Sequence, residues 1–412
     1  MKSEFFTFAR RIGAVASLAL LGTSALAAPK HGIAMYGEPA LPPDFEHLPY
    51  ANPDAPTGGK MVTANVGSFD SLNPYIQKGS VHWQLRYLTG DSLMGRSLDE
   101  PFSLYGVIAE SIETDDERNW VEFVIRDGAK FNDGSLITPD DVIWTFETLG
   151  TIGHGRYRGF WAKVESLEAT GPNSVRFVFN TDDKELALLA GMRPILKRAQ
   201  WEGKDFADSE LGEIPIVSGE YKITDYEAGR FISFTRDPDY WANGIPFKKG
   251  TGNLDEIRLE FFGDDTAAFE AFKVGEVNTQ REFSVGKWES QYNFPRIENG
   301  EVVKVTLPHQ RPSGMTGYVM NTRRDVFEDW RVRDAMLHVF NFEFINDAMT
   351  GGKQNRITSY WSNSPLAMKA DAAAGRVAEF LDPFKDDLLP GTLEGYTLPV
   401  SDGTERNRAG IR

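Results

Sequence analysis

Val121, Phe123 and Ile125 alternate with Glu122 and Val124, the period-two pattern of a strand with one face buried. Two turn pairs follow, Asp127-Gly128 and Asp133-Gly134. Thr138 then suits an N-cap and Pro139 the first helical position, while Asp140 and Asp141 favour the positive end of a helix dipole. Val142, Ile143, Phe146 and Leu149 share one helical face, so residues 121–149 predict a strand, a turn and a capped helix in succession. Elsewhere, the pattern predicts strands at 60–66, 175–179, 255–262, 302–307 and 316–321, and a hairpin over 221–236. A helix should open at Asp264-Asp265-Thr266, carry Phe269 and Phe272, and stop at Gly275. A second should run from Arg331 with Val332, Ala335, Met336, Val339 and Phe340 as its apolar stripe.

Before the first strand, residues 28–59 hold seven prolines and no periodicity, which predicts an extended arm over the surface, anchored by Phe45, Leu48 and Tyr50. At the very start, Lys2, Arg10 and Arg11 precede a short apolar run from Ile12 to Leu21 and an Ala25-Leu26-Ala27 cleavage signal. That run is too short to span a bilayer and reads as a signal peptide for general secretion, with Arg10-Arg11 leaving twin-arginine export open. No cysteine follows the cleavage signal, or occurs anywhere in the chain, so lipid anchoring there, disulfides and thiolate metal sites are excluded.

Three segments carry a family resemblance. Arg126, Gly128, Phe131, Asp133, Gly134, Thr138, Asp141 and Val142 form one motif. Ser218-Gly219-Glu220-Tyr221-Lys222, Gly229 and Arg236-Asp237-Pro238-Asp239-Tyr240-Trp241 form the second, with Asp237 where asparagine is usual. Arg331-Val332-Arg333-Asp334-Ala335, opening a helix, is the third. In this order they resemble the extracellular solute-binding proteins of oligopeptide-type ABC importers, family 5. The proline-rich arm resembles the Yej-type branch, which takes up oligopeptides and the peptide–nucleotide antibiotic microcin C.

The resemblance implies an α/β fold, a type II (cluster C) periplasmic binding protein, with two lobes and a subdomain inserted in lobe one. The expected divisions are a signal peptide at 1–27, the arm at 28–59, lobe one at 60–265 with the insertion at about 81–170, and lobe two at 266–412. The polar stretch 401–412 ends without a closing element, so lobe two is expected to be incomplete, with apolar surface exposed and the isolated chain prone to aggregate. An inert product of a disrupted gene is an alternative reading.

Net charge is −16, which disfavours nucleic acid as a partner. None of the six histidines has metal-ligand spacing, and no nucleophile elbow or phosphate loop occurs. Asp115-Asp116, Asp182-Asp183 and Asp264-Asp265 sit at turns or helix starts, where carboxylates cap. A periplasmic hydrolase with a non-standard acid pair is therefore the weaker reading; the chain is expected to be a monomer, not an enzyme, and to need no cofactor.

Three places are candidates for a ligand cleft. Phe69 to Tyr75 follows the first strand, where ligands collect in α/β sheets; Phe69, Asn73 and Tyr75 either face ligand or form a rigid Asn-Pro turn. Arg281 could fork a carboxylate and Glu282 meet an amine, or the two could form a surface ion pair. The loop His309 to Gly314, with Gln310 and Arg311, resembles a Yej-type loop, and Trp288, Tyr292, Tyr360 and Trp361 could wall it. The family resemblance implies capture of an oligopeptide by closure of two lobes and delivery to an inner-membrane permease with its ATPase subunits.

Overall fold

A computed structural model describes residues 29–100 and 102–401; the expected signal peptide and the polar stretch from 402 onward lie outside them. The chain divides into two compact units between Thr279 and Gln280.

In the first unit, β2 (Lys60–Val66) pairs in parallel with β11 (Glu256–Phe262), in register from Lys60 opposite Glu256 to Val66 opposite Phe262. The whole segment between them is therefore inserted between two neighbouring strands. β9 (Tyr221–Glu227) and β10 (Phe231–Arg236) form the expected hairpin and complete the order β2-β11-β10-β9. β2 ends at Gly67, whose φ of 111° only glycine adopts without strain.

A second sheet has the order β5-β6-β8-β7, all antiparallel: β5 (Ala109–Thr114), β6 (Trp120–Ile125), β7 (Val164–Ala169) and β8 (Ser174–Phe179). Val121, Phe123 and Ile125 are buried as the alternation requires. Helix α2 (Pro139–Thr151) covers the sheet, with the Phe146 ring 4.7 Å from that of Phe177. The short helices α1 (Leu85–Thr89), α3 (Arg158–Trp161) and α4 (Leu186–Gly191) fill out this region.

The proline-rich arm is not irregular throughout. β1 (Gly32–Ala34) pairs with β4 (Ser103–Gly106), which also pairs with β3 (Met94–Arg96). Leu48 is fully buried beside Tyr105 and Tyr240, and Phe45 meets the Tyr105 ring at 5.4 Å, while Tyr50 stays 41% exposed. Prolines forbid a helix here but leave three consecutive donors free, enough for a short ladder.

Helix α5 (Asp265–Val274) is capped by Asp264, whose carboxylate accepts from the Ala267 amide at 2.8 Å, and ends at Gly275 with φ 92°. Ala268, Phe269 and Phe272 are buried. Beyond the helix, the Asn278 side chain bonds the Val62 amide and the Lys60 carbonyl, at 2.7 and 2.8 Å. The first compact unit thus extends past the expected crossover at 265/266, because residues 278–279 cover the free edge of β2.

The second unit contains α6 (Val285–Ser290), α7 (Pro295–Glu298), α8 (Asp325–Glu328), α9 (Trp330–Val339), α10 (Phe342–Thr350) and α11 (Arg376–Leu381). The helix expected from Arg331 is α9, capped by Asp329. The strands expected at 302–307 and 316–321 are not formed. A strand is held by ladder bonds to a neighbour, and among the described residues neither segment has one. Tyr318 and Val319 are accordingly 89% and 97% exposed.

Candidate functional site

The two motifs of the first unit bind each other. The Asn132 amide donates to the Val217 carbonyl at 2.8 Å and its side chain to the Gly219 carbonyl at 2.9 Å. Trp241 Nε1 donates to the Ser218 carbonyl at 3.1 Å, and Lys197 bonds Asp133. Asp237, in place of the usual asparagine, sits 2.7 Å from Lys222 Nζ and is almost fully buried. Gly219 is required by close approach: a Cβ there would stand 2.4 Å from the Thr89 carbonyl carbon. These motif residues build scaffold.

Of the candidate ligand residues, Phe69, Asn73 and Tyr75 are all buried. Phe69 packs with Leu72, Ile232 and Leu259 and meets the Phe261 ring at 4.9 Å. Asn73 donates to Ser209 Oγ at 3.0 Å and accepts from the Tyr75 amide at 3.1 Å, so the structure gives it the turn role. Tyr75 lies in a separate cluster with Leu149, Tyr157 and Trp201. Burial raises the Tyr75 phenol far above its ordinary pKa, and its oxygen has no hydrogen-bond partner.

In the second unit, Glu282 turns inward. It accepts from the Ser284 amide at 2.7 Å and the Tyr292 hydroxyl at 3.1 Å, bracing the start of α6. Arg281 is exposed, its guanidinium 5.2 Å from the Phe283 ring centre. The loop with Gln310 and Arg311 and the turn with Tyr360 and Trp361 come together. Asn363, in the left-handed conformation at φ 69°, donates to the carbonyls of His309 and Arg311 at 2.9 and 3.0 Å. The Ser313 amide adds a bond to the Ser362 carbonyl at 2.8 Å. Gln310 and Arg311 remain exposed and Trp361 is half exposed. Trp288 packs instead with Tyr292, ring centres 5.2 Å apart, under Lys304.

A cavity of about 930 Å³, lined by none of the residues that the sequence singles out for a ligand, lies wholly inside the first unit. Arg86, Arg96, Arg156, Lys163 and Arg193 line it, and no Asp or Glu does. Its apolar wall includes Met94, Leu189, Met192 and Phe247. Arg193 is 8% exposed, with its guanidinium 4.7 Å from the ring centres of both Tyr157 and Phe160. Burial pushes its pKa down to about 10, so it remains charged at neutral pH. The arginines are scattered over more than a hundred positions among many acidic residues, so no spacing rule could have grouped them.

Catalytic groupings are not prominent. Asp115 bonds the Asn119 amide and side chain, Asp183 bonds Lys163 and the Glu185 amide, and Asp264 caps α5. Among the described residues, no three His, Asp or Glu side chains gather as a metal site, and no helix is long and apolar enough to cross a membrane.

Known proteins resemble the chain along most of its length. Peptidoglycan-binding protein YepA of Agrobacterium fabrum is 41% identical over 418 residues, covering 95% of this chain and 67% of the relative. YejA of Escherichia coli is 33% identical, covering 92% and 62%. A protein of A. fabrum named "Probable peptide-binding protein YejA" is 32% identical, covering 93% and 64%. The chain thus spans roughly two thirds of the length of these relatives. Among solved structures, NikA from Brucella suis with Fe(III)-EDTA superposes with a TM-score of 0.59 at 18% identity, over 86% of this chain and 72% of that one. AppA of Bacillus subtilis with a nonapeptide gives 0.55 at 20%, over 85% and 68%. These likenesses give the fold, the α/β type II periplasmic binding protein. The model of the bacterial extracellular solute-binding proteins, family 5 Middle, matches residues 103–382. With that match running through more than half its length, the chain belongs to the family 5 solute-binding proteins of ABC importers, and within them to the Yej type.

Proposed function

We propose that the protein captures oligopeptides between two lobes in the periplasm and delivers them to an inner-membrane permease with its ATPase subunits. The observation that carries this reading is the family match across residues 103–382, joined to a relative named for peptide binding at 32% identity. On this reading lobe one is the unit from 60 to 279, with its accessory subdomain at about 81–170, and lobe two begins at 280. Arg281, Gln310, Arg311 and Trp361 are the proposed ligand contacts, because their side chains are exposed for a partner. Phe69, Asn73 and Tyr75 belong to the packing of the first unit, and Glu282 braces the start of α6 in the second. Secretion by a cleaved signal peptide at 1–27 and a monomeric state complete the proposal.

The greater identity to YepA, named for peptidoglycan binding, at 41%, favours peptidoglycan material as one class of cargo. Titration calorimetry of the secreted chain tests this with a random peptide pool, a peptidoglycan tripeptide and a microcin C-type peptide–nucleotide. Saturable binding without turnover of the peptide is expected. Failure of every peptide to bind, with the fold intact, would sink the reading, and hydrolysis of any of them would favour an enzyme.

A further inference from the structure

A buried arginine seldom stands without an acid to face, and Arg193 is buried. In the first unit, Lys163 has Asp183 as its partner at 2.7 Å, but no carboxylate forms an ion pair with Arg86, Arg96, Arg156 or Arg193 among the described residues. These four cations converge on one cavity in a chain of net charge −16. Arg193 Nη1 and Arg86 Nε are buried with no hydrogen-bond partner. Behind the wall, Tyr75 Oη is also unpartnered, 3.1 Å from where a Cβ on Gly90 would stand. A buried donor left unmatched is costly, and two such atoms, both on arginines that line one cavity, point to a group that enters from outside. The three rings holding Arg193, those of Phe146, Tyr157 and Phe160, fix the guanidinium in place and so lower the entropy cost of engaging a ligand.

Tyr157 reports the convergence. Burial raises its phenol above the ordinary value, while Arg156, Arg193 and Arg86 each pull it back. Three guanidinium charges therefore act on one hydroxyl at the cavity wall.

We infer that this cavity is a binding site for a small organic oxyanion with more than one charge and an apolar body. The arginines supply forked donors for two or more oxyanion groups, and Met94, Leu189, Met192 and Phe247 take the hydrocarbon. About 930 Å³ is room for a ligand of small-molecule size. This goes beyond peptide capture and holds whether or not peptides are the cargo. Carboxylate and phosphate share the required chemistry, and the test separates them.

Titration of the secreted chain with benzene-1,3,5-tricarboxylate, its neutral triamide, phenyl phosphate and inorganic phosphate reads the site directly. The expected result is tricarboxylate binding that weakens with added salt and is at least about tenfold tighter than the triamide, the gain of one or more charged hydrogen bonds. Phenyl phosphate binding in place of the tricarboxylate would assign the oxyanion as phosphate. Arg193→Met should weaken the bound anion by about tenfold or more. Since that change alters a buried residue, Arg156→Gln, at an exposed position, provides a second variant with the fold preserved, and should weaken it severalfold. Equal affinity for tricarboxylate and triamide, no binding by any anion to the folded chain, or wild-type affinity in both arginine variants would overturn the inference. Peptide titrations decide the capture reading separately.

Discussion

Replacing Asp141 by alanine should cost far more stability than an ordinary helix cap. Its Oδ2 accepts from the Thr138 amide at 3.0 Å and the Thr138 hydroxyl at 2.7 Å, closing a capping box at the start of α2. Its other oxygen accepts from the Arg198 amide at 3.0 Å, fifty-seven residues away. The residue is 8% exposed, so water cannot replace the lost acceptor freely. Three donors at about 1 kcal/mol each, with about 0.5 kcal/mol for the helix dipole, give roughly 3–4 kcal/mol. Thr138→Ala removes the cap hydroxyl alone and should cost about 1 kcal/mol. Asp140, 72% exposed and 3.7 Å from Arg198, is the control, and its alanine variant should fall within about 0.5 kcal/mol of wild type. Urea unfolding followed by circular dichroism measures all three, and the Thr138/Asp141 double variant gives the coupling between them. If Asp141→Ala costs no more than Thr138→Ala, the bond to Arg198 contributes nothing and the reasoning fails.

Gly219→Ala should destabilise by about 1–3 kcal/mol or more, because the added methyl meets rigid backbone of Thr89 and Gly90; an unchanged melting temperature would contradict this. Lys248 lies 2.7 Å from Asp91 and 3.4 Å from Glu220, and Tyr240 donates to Asp91 at 2.7 Å. Burial works against its charge, yet Asp91 and Glu220 outweigh that and hold the lysine above its ordinary pKa. Lys248→Met, which strands the Asp91 carboxylate, should cost about 3–5 kcal/mol in urea unfolding, and a loss below about 1 kcal/mol would refute the pairing. His82, edge-on to Phe261 at 5.5 Å, has its pKa lowered by burial. The unfolded chain therefore binds the proton first, so this contribution is complete above about pH 6.5 and is lost as pH falls below it. His82→Gln should flatten the fall in stability between pH 8 and 5.5, and an identical slope in the variant would rule the histidine out.

Local order was legible in the chain wherever it depends on near neighbours. The alternation at 121–125, the Thr138 cap, the hairpin at 221–236 and the Asp264–Gly275 helix all form as the pattern requires. Motif order, too, was enough to identify the family. The two strands read at 302–307 and 316–321 fail for the converse reason, since alternation specifies a face but a ladder needs a partner. Asp141 could be read as a cap, but not as the acceptor for Arg198, nor could the parallel pairing of β2 with β11 be read across nearly two hundred residues. Tertiary structure alone buried Phe69, Asn73 and Tyr75, and it alone gathered Arg86, Arg156 and Arg193 around a cavity without acids. Sequence determines what hydrogen bonding and periodicity settle within a few turns of chain. Burial and charge convergence depend on long-range packing, and so only the folded chain decides them.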